Sequence, residues 1–100
     1  MLVIIWEFQV KPEKQKTFER IYCANGDWGK LFQRATGYLG TTLVRDEKVS
    51  GRYICTDRWS SLGVFDDFKK KFATEYAALD KECEALTDKE TCVGYFENVD

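Results

Sequence analysis

The side chains able to do chemistry in this chain are aromatic rings, isolated carboxylates and four cysteines, because no histidine stands among its 100 residues. That absence removes the Ser-His-Asp and Cys-His arrangements of nucleophilic catalysis, and with them the commonest ligand of metals and of haem iron. Cys23, Cys55, Cys83 and Cys92 form no C-x-x-C pair, so neither a zinc site nor a dithiol redox motif is spaced along the chain. Cys83 falls on an apolar stripe, and Cys55 and Cys92 fall inside strand-like runs, which predicts buried, inert thiols. No phosphate loop occurs either: Gly37 to Gly40 is too short and follows a helical pattern rather than a strand. Glu7 and Asp57 are the carboxylates that could reach into an apolar pocket, and strand parity alone leaves open which side of a sheet each one faces.

The elements that would position these groups are legible from periodicity. Leu62, Phe65, Phe68, Phe72, Tyr76, Leu79, Cys83 and Leu86 recur at intervals of three and four, so they share one side of a helical segment. Ser60 or Ser61 caps its start, and Ala73-Thr74 is the expected break, with Thr74 capping the second half. Upstream, Leu2 to Val10 reads as a strand, and Pro12 opens a helix whose buried face is Phe18, Ile21 and Tyr22. Asn25-Gly26 stops that helix, and Asp27 can cap a short second piece carrying Trp28, Leu31, Phe32 and Ala35. Tyr38 to Asp46 and Arg52 to Trp59 form a hairpin closing at Ser50-Gly51, and Thr91 to Val99 is the last strand. The order β, α, β, β, α, β predicts an α+β, ferredoxin-like plait: a four-stranded antiparallel sheet with helices on one face.

Composition bounds the rest. The length suits a single domain over residues 1–100, with 44% hydrophobic and 15% aromatic residues describing a globular chain rich in rings. A net charge of −2 argues against nucleic acid as a partner, and Lys69-Lys70-Lys71 reads as the solvated face of a helix. The apolar opening from Met1 to Trp6 is too short for a secretory core and nothing approaches a membrane span, which predicts a cytoplasmic protein with free thiols and no membrane partner.

Alternation in the first and last strands is not clean. Leu2, Ile4, Trp6, Phe8 and Val10 point one way and are assigned to the helices, yet Val3 and Ile5 are apolar on the opposite side. In the last strand Val93 and Tyr95 oppose Cys92 and Phe96. A face carrying Val3, Ile5, Cys92 and Phe96 predicts a homodimer formed sheet against sheet. Between sheet and helices, Trp6, Phe8, Trp28, Phe32, Trp59, Phe65, Phe68, Phe72 and Tyr76 are expected to line an aromatic pocket.

Strand one running into Val10-Lys11-Pro12, then Gly37-Tyr38-Leu39-Gly40-Thr41, Tyr53-x-x-x-Asp57-x-Trp59-x-Ser61 and Phe65-x-x-Phe68, resembles the antibiotic biosynthesis monooxygenase family from Val3 to Phe96. The resemblance implies two plaits packed sheet to sheet as a barrel, with one pocket per subunit. It also implies oxygenation of a phenol or hydroquinone, in some members without any cofactor. On that reading Trp59, Asp57 and Tyr76 carry the catalytic site, and Trp6, Phe8, Trp28, Phe32, Phe65, Phe68 and Phe72 bind an aromatic substrate. Arg45, Arg52 or Arg58 could stabilise a phenolate. The haem-degrading branch places an amide on strand one and a histidine on the last helix, where this chain has Trp6 and no histidine. The resulting expectation is a reaction that needs oxygen but neither metal, flavin nor haem. A non-enzymatic dimer binding a small apolar ligand is the alternative.

Overall fold

A computed structural model describes all residues from Met1 to Asp100. Strand β1 spans Leu2–Val10, and a single 3-10 turn at Pro12–Lys14 leads into helix α1, Gln15–Tyr22. A short helix α2, Asp27–Phe32, precedes the hairpin of β2, Tyr38–Arg45, and β3, Arg52–Trp59. Helices α3, Leu62–Lys71, and α4, Ala73–Cys83, follow, and a 3-10 turn at Glu84–Leu86 feeds β4, Thr87–Glu97. All neighbours in the sheet are antiparallel and the order is β2-β3-β1-β4, the split βαβ plait expected of this element sequence. No helix is long and apolar enough to cross a membrane.

The two ends of β3 fix how the layers meet. At its start the hairpin returns through Gly51, whose φ of +79° suits a residue without Cβ; a Cβ there would lie 2.7 Å from the Val10 carbonyl. At its end Ser61 caps α3, its hydroxyl accepting from the Val64 N–H at 3.2 Å. Along β3 the alternation is strict: Tyr53, Cys55, Asp57 and Trp59 are buried beneath the helices, and the residues between them are half-buried on the other face. Ile4, Phe8 and Val10 of β1 are buried on the same side as that set, which confirms the parity read from the sequence. Trp59 is fully buried and forms the hub of the ring layer, its centroid 5.1–5.3 Å from those of Phe32, Tyr38, Phe65 and Phe68.

Several local expectations are corrected. The kink between α3 and α4 falls at Phe72 (φ −110°, ψ 29°) rather than at Ala73-Thr74, and Thr74 makes no cap bond. Packing explains it: the Phe72 ring is buried against Phe68 with the Arg34 guanidinium 4.8 Å above it, so its backbone takes the bend. Asp27 is the first residue of α2 rather than its cap, and Leu62, at the start of the stripe, is 49% exposed. Strand β4 begins at Thr87, not Thr91, because Thr87 to Thr91 pair with the polar end of β1. A bulge at Val93 then resets the alternation, so Cys92 lies opposite Trp6 on the helix side while Phe96 lies opposite Val3. Cys92 therefore does not join Val3, Ile5 and Phe96 on the outer face, and it is exposed rather than buried; Cys55 and Cys83 are buried and all four cysteines are free.

Two substitutions measure this framework. Trp59→Ala is expected to cost about 3–5 kcal/mol by emptying the hub, against about 1 kcal/mol for Ser61→Ala through its lost cap. Urea unfolding followed by circular dichroism distinguishes them; equal effects would show that the hub is not the main support of the ring layer.

Candidate functional site

Beneath β1 and β3 the rings enclose a cavity. Its walls are Ile4, Trp6, Phe8, Tyr22, Trp28, Phe32, Phe65 and Tyr76, with Thr41, Cys55, Asp57, Asp80 and Glu90 as its other members. Of the aromatic residues expected from the sequence, Trp6, Phe8, Trp28, Phe32, Phe65 and Tyr76 line this space. Trp59, Phe68 and Phe72 stand behind them in the core. The centre of a water-sized sphere has about 40 Å³ in which to move, inside about 520 Å³ of unfilled space that runs out to solvent. A water needs roughly 10–15 Å³ measured this way, so the enclosed part accommodates a few waters or a dioxygen molecule. A flat polycyclic ligand is larger than this enclosed part.

Register decides which carboxylate enters. Glu7 pairs with Ile54 on the outer face, where its carboxylate is 2.6 Å from Arg52 Nε. Asp57 is 7% exposed and lines the cavity. Its Oδ1 accepts from the Thr41 hydroxyl at 2.7 Å and has the Cys55 thiol at 3.8 Å. Both contacts fall on Oδ1, which leaves Oδ2 as the atom open to a ligand. The Thr41 hydroxyl has one proton and gives it to Asp57, so the Tyr38 hydroxyl, 2.5 Å away, must donate to Thr41. The result is a directed chain from Tyr38 through Thr41 to a buried carboxylate.

Burial pushes the Asp57 carboxyl up to about 6, against the opposing pull of its hydrogen bonds from Thr41 and Cys55. Burial also raises the neighbouring Cys55 thiol well above its usual range, with the Asp57 charge adding to the shift. Tyr76 is pushed up to about 12, again mainly by burial, so at neutral pH it offers a hydroxyl and not a phenolate. Its ring packs edge-on to Trp28 at 5.1 Å between centroids. The indole N–H groups of Trp28 and Trp59 are buried without a hydrogen-bond partner, and of the two only Trp28 lies on the cavity wall. Arg45 pairs with Glu19, Arg52 with Glu7 and Asp46, and Arg58 donates to Thr42. None of the three arginines lines the cavity, which corrects the expectation that one of them steadies a phenolate. No group of His, Cys, Asp and Glu is arranged to hold a metal ion.

Thr41, Asp80 and Glu90 were not legible as site residues from spacing. The hairpin supplied one overlooked signal: a turn closing at Ser50-Gly51 sets Thr41 directly opposite Asp57. Glu90 depends on the earlier start of β4, which puts it opposite Phe8.

Solved structures share this fold. SnoaB, a cofactor-independent oxygenase from Streptomyces nogalater, is 20% identical with a TM-score of 0.64, the alignment covering 99% of this chain and 93% of that one. The Pseudomonas aeruginosa protein PA3566 is 15% identical with a TM-score of 0.70, over 99% and 94% of the two chains. A further structure, described as an antibiotic biosynthesis monooxygenase, is 21% identical with a TM-score of 0.69 over the whole of both chains. No curated protein matches the sequence. Identities of this size speak for the fold, and membership rests on the sequence itself. The antibiotic biosynthesis monooxygenase model matches residues 1–78, the span from β1 into α4 that supplies every cavity residue but Asp80 and Glu90, and the chain belongs to that family.

Proposed function

We propose that the chain is a cofactor-independent monooxygenase of a phenol or hydroquinone. The observation that supports it best is Asp57: a buried carboxylate with one oxygen uncommitted, in an aromatic cavity, with a pKa of about 6. A base of that strength is ionised at neutral pH and able to take a phenolic proton. The phenolate passes one electron to dioxygen, and the radical pair recombines to a carbon–peroxide bond. Asp57 returns the proton to the distal oxygen. Loss of water with the ring C–H proton leaves a quinone carbonyl, so phenol plus dioxygen becomes quinone plus water. Tyr76 and the Trp28 indole N–H supply hydrogen-bond donors to the substrate oxygen, and the closed rings keep bulk water from the peroxide. Trp59 acts as a positioning residue through Phe32 and Phe65, which it backs.

The outer face supports a dimer in the same reading. Val3, Ile5, Ile54 and Phe96 gather on the side of the sheet away from the helices, Phe96 at 42% exposure. Light scattering at micromolar concentration is expected to give twice the 11.7 kDa chain mass, and a stable monomer would count against the interface.

Asp57 separates catalysis from architecture. Its folded pKa lies above the ordinary value of 3.8, so between about pH 4 and 6 the folded chain holds a proton that the unfolded chain has lost. Stability therefore falls as pH rises through that window, by about 3 kcal/mol in all. Asp57→Asn is expected to unfold at higher temperature at pH 7 yet to lose oxygen uptake with polycyclic hydroquinones. A variant that keeps its activity removes the base from the mechanism. No uptake by the native protein across such a panel would favour a ligand-binding protein instead.

Thr41→Val removes the donor that offsets burial, so the acid limb of the pH–rate profile should move upward and Thr41→Ser should restore it. An unmoved profile would assign the limb to another group.

A further inference from the structure

Asp80 on α4 and Glu90 on β4 are the exposed members of the cavity lining and so mark its mouth, and both carry negative charge. Asp80 stands one helical turn beyond Tyr76, and Glu90 sits opposite Phe8 on the inner side of β4; both line the cavity. Neither takes part in an ion pair. Three carboxylates and no lysine or arginine occur among the 13 lining residues. The Tyr76 hydroxyl feels Asp80, Asp57 and Glu90 and no cation. The Glu90 carboxyl is itself held up by burial first and then by Asp80 and Glu84.

The second observation lies deeper. Asp57 is more than nine-tenths buried, lines the same space, and keeps Oδ2 without a partner. Such a space favours a ligand that brings hydrogen-bond donors and disfavours an anion, since a carboxylate or sulfonate would meet like charge at Asp57, Asp80 and Glu90 and no cation to offset it. Tyr76 is the ring that feels both members of the acidic pair, and Trp28 packs edge-on to it in the same cavity; both are ring types that stabilise a cation against a π-face. Indole, phenol and two unpaired carboxylates around one opening make a cage suited to an alkylammonium group.

Resting on the reading of this cavity as the site of a small aromatic ligand, we propose that the ligand is an aromatic ring system carrying a protonated amine, held at the mouth by Asp80 and Glu90 beside Trp28 and Tyr76. The ring enters among the aromatic walls and the ammonium group stays at the wet rim. Exposed charge pairs are individually weak, and together with a cation on an aromatic face they amount to roughly tenfold in affinity.

Three probes with one ring test this: 1-naphthylmethylamine, 1-naphthylmethanol and 1-naphthoate, titrated into the native protein at pH 7 by calorimetry, with the Trp28 indole N–H followed by NMR. The amine is expected to bind about tenfold tighter than the alcohol, and the naphthoate weakest of the three. The Asp80→Asn, Glu90→Gln double variant is expected to bring the amine-to-alcohol ratio close to one, with circular dichroism confirming its fold. An alcohol that binds as well as the amine, or a ratio unchanged in the double variant, overturns the inference and leaves the monooxygenase reading standing. If none of the three probes binds or shifts the Trp28 resonance, the aromatic-ligand site itself is overturned, and the amine preference with it.

Discussion

Strict alternation along β3 is the constraint on which the rest of this molecule depends. The strand is paired on both edges, so its four inward residues, Tyr53, Cys55, Asp57 and Trp59, cannot change face without breaking two ladders. Trp59 then centres the ring layer, and Asp57 is carried into the same layer two residues earlier. An apolar hub and a charge that resists burial are thus fixed by one periodicity. The helices that cover β3 are rich in aromatic residues, which fill volume with few rotamers and leave narrow gaps where an aliphatic core would close up.

Holding a carboxylate in that layer is costly, and a single threonine hydroxyl offsets part of the cost. The hydroxyl comes from the neighbouring strand of the hairpin, so strand pairing and charge solvation are one event: Thr41 meets Asp57 only when β2 is in register. Tyr38 extends the chain and keeps the threonine proton directed inward. A carboxylate retained at a net cost to the fold, with one oxygen unengaged, is the kind of local disagreement with packing that functional sites show.

Much of the fold was legible in the sequence because its signals are long and periodic. The eight-residue stripe on α3 and α4, the alternation in β1 and the Ser50-Gly51 turn each agree with a single topology. The local misses share a cause, which is that tertiary packing overrode a propensity. Phe72 bent where Thr74 offered a cap, and a bulge moved Cys92 across the sheet. The site was half legible. Ring types and spacing predicted the walls, but its polar members come from four separate elements and depend on cross-strand register or on helix rotation. Spacing within any one segment carries no trace of the pairing of Thr41 with Asp57, or of Asp80 with Glu90. The arginines show the converse: their residue type suited a phenolate, and only the fold reveals that their carboxylate and hydroxyl partners lie elsewhere.

The bulge at Val93 changes the phase of β4. Between Lys89 and Cys92 the even-numbered Glu90 and Cys92 face the helices; after it the odd-numbered Tyr95 does, packing on Phe65 at 6.0 Å. The bulge therefore keeps Glu90 and Tyr95, an odd number of residues apart, on the same side of a single strand, an arrangement that uninterrupted pleating forbids. It also gives the strand a place to absorb a change in length. Replacing Val93 alters one exposed side chain, and deleting it would remove only the unpaired residue, leaving Cys92, Gly94 and Tyr95 opposite Trp6, Ile5 and Ile4 on their present faces in a regular pleat. For a lineage built on this plait, loss of a residue at that position is a single mutational step that the sheet absorbs with both of its faces intact.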